Sequence, residues 1–142
     1  MTVPPNHPRI LGHGIDLVPI GRVRSMLDRH GDRFTTRVFT PDERVYCDLG
    51  RRQRAERYAA RLAAKEAVAK ALGTGIADGI AWVEIGVTRL PSGRPGIALS
   101  GRAAERAAVK GITGWWLSLT HAGGLAVASV IAEGEPLVHS DR

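Results

Sequence analysis

The chain has 142 residues, 44% hydrophobic and 24% charged, with 20 Lys and Arg against 14 Asp and Glu and a net charge of +6. A single cysteine, Cys47, excludes an internal disulfide, and no apolar run reaches the roughly 20 residues of a membrane-spanning helix. What remains is one soluble globular domain with a real core, whose basic surplus calls for an acidic partner or ligand: nucleic acid, an anionic membrane, phosphates or an acidic protein.

Met1–Pro8 carries three prolines and reads as a loose leader without the apolar centre of a secretion signal, so a cytoplasmic location is expected. Ile10–Val18 alternates apolar with small or polar residues, the pattern of a strand. Asp16 near its end needs a partner or a metal, because an acid among apolar neighbours is costly alone. A helix cap or an arginine partner weighs equally with a functional role. His13, between two glycines, has no acid or nucleophile beside it and reads as structural. Ile20–His30 reads as a helix with Ile20, Val23, Met26 and Leu27 on its apolar face. Arg22, Arg24 and Arg29 lie on the exposed side, either simply solvated or able to dock an acidic helix. Residues 31–39 read as a connection. Thr40-Pro41-Asp42-Glu43 is a helix start, with Thr40 as N-cap, Pro41 in the first turn and Glu43 closing a capping box; the helix runs to about Leu49.

Gly50–Arg61 holds five arginines, Arg51, Arg52, Arg54, Arg57 and Arg61, which suit either paired hydrogen bonds to a phosphate or a solvated, nucleic-acid-binding run. Arg61–Gly73 is the strongest helix pattern, rich in Ala, Leu, Lys and Glu and closed by a glycine able to take the left-handed cap. Tyr58, Leu62, Ala69 and Leu72 repeat at helical spacing, and Glu66 and Lys70 share a neighbouring face. Residues 74–79 read as a turn, 81–89 as a strand, 91–95 as a second turn and 96–99 as the returning strand of a hairpin. A short helix is expected over 101–110, then strands over 114–120 and 125–132 joined by His121–Gly124, then a polar tail from 133 to 142. With no internal repeat or linker, residues 1–142 form one domain with its core at about 10–132.

Asp16 and Glu66 lie at the rims of the two most apolar elements. Two carboxylates suit magnesium when a phosphorylated substrate supplies further oxygens, and Lys70, one turn beyond Glu66, is placed to meet the same phosphates. Gly73-Thr74-Gly75 lacks the lysine and the length of a Walker loop. No Cys/His group has zinc spacing, and Ser118 with His121 lacks the G-x-S-x-G elbow of a hydrolase. Cys47 has no evident thiol chemistry. The residues alone describe a basic, magnesium-compatible, phosphate-handling protein with a basic helix suited to an acidic partner.

The segments GHGIDLVPIGRV at Gly12–Val23, RFTTRVFTPDE at Arg33–Glu43, RLAAKEAVAKALGTGI at Arg61–Ile76, SGRP at Ser92–Pro95 and WLSLTHAGGLAVASVI at Trp116–Ile131 occur in this order. Together they closely resemble the holo-acyl-carrier-protein synthases, the short class of 4'-phosphopantetheinyl transferases, over roughly residues 10–132. The resemblance implies an α+β fold in which a long central helix packs against a small, mainly antiparallel sheet, with the active site at the subunit interface of a trimer. It implies magnesium-dependent transfer of 4'-phosphopantetheine from coenzyme A to a serine of an acyl carrier protein, without nucleic-acid or membrane partners. By position in the motifs it assigns Asp16 and Glu66 to the metal. Lys70, Lys65, Gly73 and His121 fall at the coenzyme A site, and Arg51, Arg52 and Arg54 fall in the region of its 3'-phosphate. Arg22, with Arg24 and Arg29 on the same helix, is assigned to the carrier protein. His13 and the Trp115-Trp116 pair depart from the family pattern without touching these positions. A basic nucleic-acid-binding module using Arg51–Arg61, or a coenzyme A binder without transfer, are the alternatives.

Overall fold

The computed structural model describes residues 9–76 and 79–135. The leader, most of the polar tail and the middle of the turn after Gly73 lie outside the described residues. In chain order the elements are β1 (Arg9–Pro19), α1 (Ile20–His30), α2 (Asp32–Val38), α3 (Pro41–Asp48), α4 (Arg54–Leu72), β2 (Ile85–Arg89), β3 (Pro95–Leu99), α5 (Gly101–Val109), β4 (Ile112–Ala122) and β5 (Leu125–Gly134). β1, β5 and β4 form an antiparallel three-stranded sheet in that order, and β2 and β3 form a separate antiparallel hairpin. This matches the α+β architecture implied by the sequence resemblance.

Helix α4 is the axis of the molecule. Its 19 residues reach about 28 Å. Gly73 ends it at φ 76°, donating its N–H to the carbonyls of Ala69 and Lys70. Ala59, Ala60, Ala63, Ala64, Ala67 and Ala71 are buried along it, and so are Ala126, Ala128, Val130 and Ala132 of β5, which packs against it. Small side chains on both surfaces let the sheet come close, and β1 comes closest. A Cβ on Gly12 would overlap the Ala71 carbonyl oxygen, and one on Gly14 the Ala67 carbonyl oxygen. These two glycines share the helix-facing side of the strand with Asp16 and Val18, because strand side chains alternate. At the other end of α4, Tyr58 packs edge-on against Phe39 at 4.7 Å, and Phe39 against Phe34 at 5.6 Å. Among the described residues no helix is long and apolar enough to cross a membrane.

Four sequence expectations change. Residues 32–38 form helix α2 rather than a connection, burying Phe34, Thr35 and Val38. The central helix begins at Arg54, so most of the arginine run becomes its first two turns. The segment 82–84 curls into a 3₁₀ turn, leaving a strand of 85–89 only. That turn is held by the Glu84 carboxylate, which accepts the N–H groups of Ala81 and Arg102. The last strand runs on to Gly134, into the segment expected as tail.

Lys65 also belongs to the fold. It is fully buried, pairs with the buried Glu43 at 2.7 Å, and donates to the carbonyls of Ile85 and Trp82. Glu43 in turn accepts the N–H of Thr40, completing the expected capping box, and the N–H of Val87 on β2. One buried ion pair thus ties α3, α4 and β2 together.

Candidate active site

Asp16, Glu66 and Lys70 come together although 54 positions separate Asp16 from Lys70. The close crossing at Gly12 and Gly14 sets the end of β1 against the helix face that carries Glu66 and Lys70. Lys70 Nζ lies 3.0 Å from Asp16 Oδ1 and donates to the Ile15 carbonyl at 2.9 Å. Glu66 is half-buried beside them. Burial first, and then the Asp16 carboxylate, raise its pKa above the ordinary glutamate value, while Lys70 and Arg22 oppose the rise. Two carboxylates close enough to feel each other, with the Lys70 ammonium on Asp16, make a pair suited to a divalent ion. No group of three or more His, Cys, Asp or Glu is clustered with metal-binding geometry among the described residues. An all-oxygen pair fits magnesium, which takes its other ligands from water and substrate phosphates, better than zinc, which needs a closed set of nitrogen or sulfur donors.

Beside Glu66 lies a cavity of roughly 480 Å³ between α1, α2 and α4. Its floor is apolar, with Val23, Met26, Phe34 and Leu62, and Arg22, Arg33 and Arg37 line it as well. Arg22 therefore stands at the carboxylate pair. Arg24 reaches back 3.5 Å to Glu56 across an exposed surface, and Arg29 is exposed in the last turn of α1.

A second cavity, of roughly 500 Å³, opens where α3, the start of α4, β2 and β4 meet. His121, at the end of β4, lines it with Arg57, Arg61, Arg89 and Arg94. Glu56 is the one acid on its wall among the described residues. Arg61 is almost wholly buried, and its Nε has no hydrogen-bond partner among the described residues. Burial lowers its pKa from the usual value, opposed by Cys47, Tyr46 and Glu43. A chamber with this charge imbalance favours a multiply charged anion. Among the described residues the two cavities share no lining residue.

Several assignments move. Lys65 is not at the site: it points into the core, where Glu43 and two carbonyls consume its three donors. A lysine adjacent to Glu66 in sequence faces about 100° away on a helix, which places it on the buried side. Arg54 is committed to Asp48 at 2.8 Å, and Arg51 and Arg52 are exposed on a 3₁₀ turn, so a single chain brings none of the three to the basic cavity. Arg57 and Arg61, from the same run, are brought there instead, joined by Arg89 and Arg94 from the hairpin. Arg57 and Arg61 stand at i, i+4, a spacing that puts them on one helix face once the helix begins at Arg54. Nothing in the sequence near Arg89 announced its role. Gly73 serves as the helix cap, exposed one turn past Lys70. Cys47 is buried and its thiol is pushed up to about 12, chiefly by burial, so it is inert.

A family model described as the 4'-phosphopantetheinyl transferase superfamily matches residues 12–124. Among curated proteins, the holo-[acyl-carrier-protein] synthase of Desulforudis audaxviator is 54% identical over 125 residues, 88% of this chain and 94% of that protein. That of Anaeromyxobacter dehalogenans is 49% identical over 88% of this chain and 97% of its own. Among solved structures, the holo-[acyl-carrier-protein] synthase of Neisseria meningitidis superposes with a TM-score of 0.78 at 31% identity, covering 87% of this chain and 98% of that one. The Helicobacter pylori enzyme, solved in complex with coenzyme A, gives a TM-score of 0.74 at 31% identity, covering 84% and 98%.

Proposed function

Because the chain belongs to the 4'-phosphopantetheinyl transferase superfamily, matching its model over residues 12–124, we propose that it transfers 4'-phosphopantetheine from coenzyme A to a serine of an apo acyl carrier protein. The observation that carries this is the delivery of Asp16, by a strand with two glycines in contact with α4, to the face holding Glu66 and Lys70. In the reaction the serine hydroxyl releases its proton to the surrounding water as its oxygen attacks the phosphorus bearing pantetheine. The bond from that phosphorus to the bridging pyrophosphate oxygen breaks, and adenosine 3',5'-bisphosphate leaves. Such a transfer depends on positioning and charge neutralisation more than on covalent chemistry. Asp16 and Glu66 would hold a magnesium ion, which supplies a Lewis acid to the pyrophosphate. Lys70, exposed on one side and anchored to Asp16 and the Ile15 carbonyl on the other, offers its charge to the departing oxygens.

The basic cavity around Arg57, Arg61 and Arg89 suits the 3'-phosphate of the same substrate, and His121 on its wall suits another part of the molecule. Since this cavity and the one beside Glu66 share no lining residue, a site completed between subunits fits the geometry. The outer face of β1 and β4, with Ile15, Leu17 and Trp116 each about half exposed, is the surface a homotrimer would cover. The carrier protein, as an acidic partner, would meet Arg22 and the exposed side of α1. A nucleic-acid module is less well supported, because Arg57 and Arg61 turn into a cavity rather than along a flat exposed stripe. The test is mass spectrometry of purified apo carrier proteins after incubation with coenzyme A and magnesium. One added phosphopantetheine group is expected with the wild-type protein and none with Asp16→Ala or Glu66→Ala. No addition on any of several carriers would end the transferase reading, leaving a coenzyme A binder without transfer.

A further inference from the structure

Tyr46 lies on α3 with three guanidinium groups arranged around its ring. The central carbons of Arg57 and Arg61 sit 4.1 Å from the ring centroid and that of Arg89 4.5 Å, the first two from α4 and the third from β2. Arg57 Nη1 also donates to the Tyr46 carbonyl at 2.7 Å. None of the three forms a salt bridge with a carboxylate among the described residues; the ion pairs found there engage other cations. Three like charges gathered on one wall of a cavity repel one another unless something holds them, and here the shared neighbour is an aromatic ring whose negative face attracts cations. Among the described residues the Nε of the buried Arg61 finds no partner, which leaves hydrogen-bonding capacity for a ligand at this point.

We propose that Tyr46 is a positioning residue: its ring gathers Arg57, Arg61 and Arg89 into a preformed cradle selective for the terminal phosphate monoester of the coenzyme substrate. This rests on the proposed function above, in which the basic cavity receives that phosphate. The ring acts through the arginines. Packing against the ring holds the guanidiniums in place before the anion arrives, so less side-chain freedom is lost on binding. A dianionic monoester can accept from several guanidiniums at once, whereas a substrate ending in a free hydroxyl gains little from them.

The experiment compares steady-state kinetics with coenzyme A and with 3'-dephospho-coenzyme A for the wild type, Tyr46→Leu and Tyr46→Phe. The wild type should show a lower KM for coenzyme A. Tyr46→Leu should raise the KM for coenzyme A by roughly tenfold, the scale of lost cation–π contacts, with kcat retained and the KM for the dephospho form unchanged. Tyr46→Phe, which keeps a ring, should behave as the wild type. An unfolded fraction lowers kcat without altering KM, so partial misfolding does not mimic the effect; should Tyr46→Leu give no folded protein, Tyr46→Met replaces it. Equal KM increases for both substrates, or no increase for coenzyme A, would overturn the role of Tyr46 while leaving the cradle intact. A wild type that treats both substrates alike would overturn the cradle itself, and the inference with it.

Discussion

Replacing Lys65 with methionine separates a core residue from an active-site residue. Lys65 has no solvent exposure, and its ammonium serves Glu43, the Ile85 carbonyl and the Trp82 carbonyl. Methionine fills most of the volume but leaves the buried Glu43 without its cation and two carbonyls without their donor. Removing one partner of a buried ion pair costs about 3–5 kcal/mol, since the remaining charge keeps its desolvation penalty. For a chain of this size each kcal/mol is worth about 2–4 °C in melting temperature, so thermal denaturation should show a fall of roughly 6–20 °C. Glu43→Leu should also destabilise, because it orphans the Thr40 and Val87 N–H groups. The double variant should lose less than the sum of the singles by about 1–3 kcal/mol, as residues in one network do. Well below the melting temperature, the kcat of Lys65→Met should stay close to that of the wild type. A variant that melts like the wild type but has lost transfer would refute the assignment of Lys65 to the core and return it to the coenzyme site.

Glu66→Gln should raise the melting temperature of the chelator-treated protein at pH 7. The raised pKa of Glu66 means that its charged form is disfavoured in the fold, so the wild type loses stability as pH rises from the unfolded value through the folded one. The gain should vanish in melts below the ordinary glutamate range, where both states hold the proton; a gain unaffected by pH would count against this cause. Gly14→Ala should lower the melting temperature and slow transfer, since a Cβ there meets the Ala67 carbonyl oxygen and must push β1 from α4 at about 1–3 kcal/mol or more. A wild-type melt for this variant would contradict the close crossing. Arg22→Glu should mainly raise the KM for the carrier protein, with a steeper effect at low salt, and an unchanged KM would remove Arg22 from the docking face.

The elements with a local signature were legible in the sequence. Thr40 to Glu43 named its own capping box, Gly73 its helix end, and the alternation of Ile10–Val18 its strand. The pairing of Asp16 with Glu66 came from resemblance and from the rarity of acids in apolar segments; the structure supplies the cause, two glycines that let a strand touch a helix. What stayed hidden depends on partners far along the chain. Lys65, which the resemblance assigns to the coenzyme A site, is seen as a core residue only when Glu43 and the Trp82 and Ile85 carbonyls are found around it. Arg57 and Arg61 read as part of a charge run until the start of α4 is placed at Arg54, which turns them toward Tyr46. The seven residues of helix α2 carry too short a pattern to separate from a loop, and tertiary burial of Phe34 and Val38 holds it.

The central claim is that the carboxylates of Asp16 and Glu66 share one divalent ion with the pyrophosphate of coenzyme A. Crystals of the protein grown with coenzyme A and manganese in place of magnesium, with data collected to record the anomalous signal of manganese, test it directly. A single strong peak within bonding distance of both side chains and of the pyrophosphate is the expected result. A peak held by other residues, or side chains of Asp16 and Glu66 that never reach a common ion in the bound complex, would contradict it.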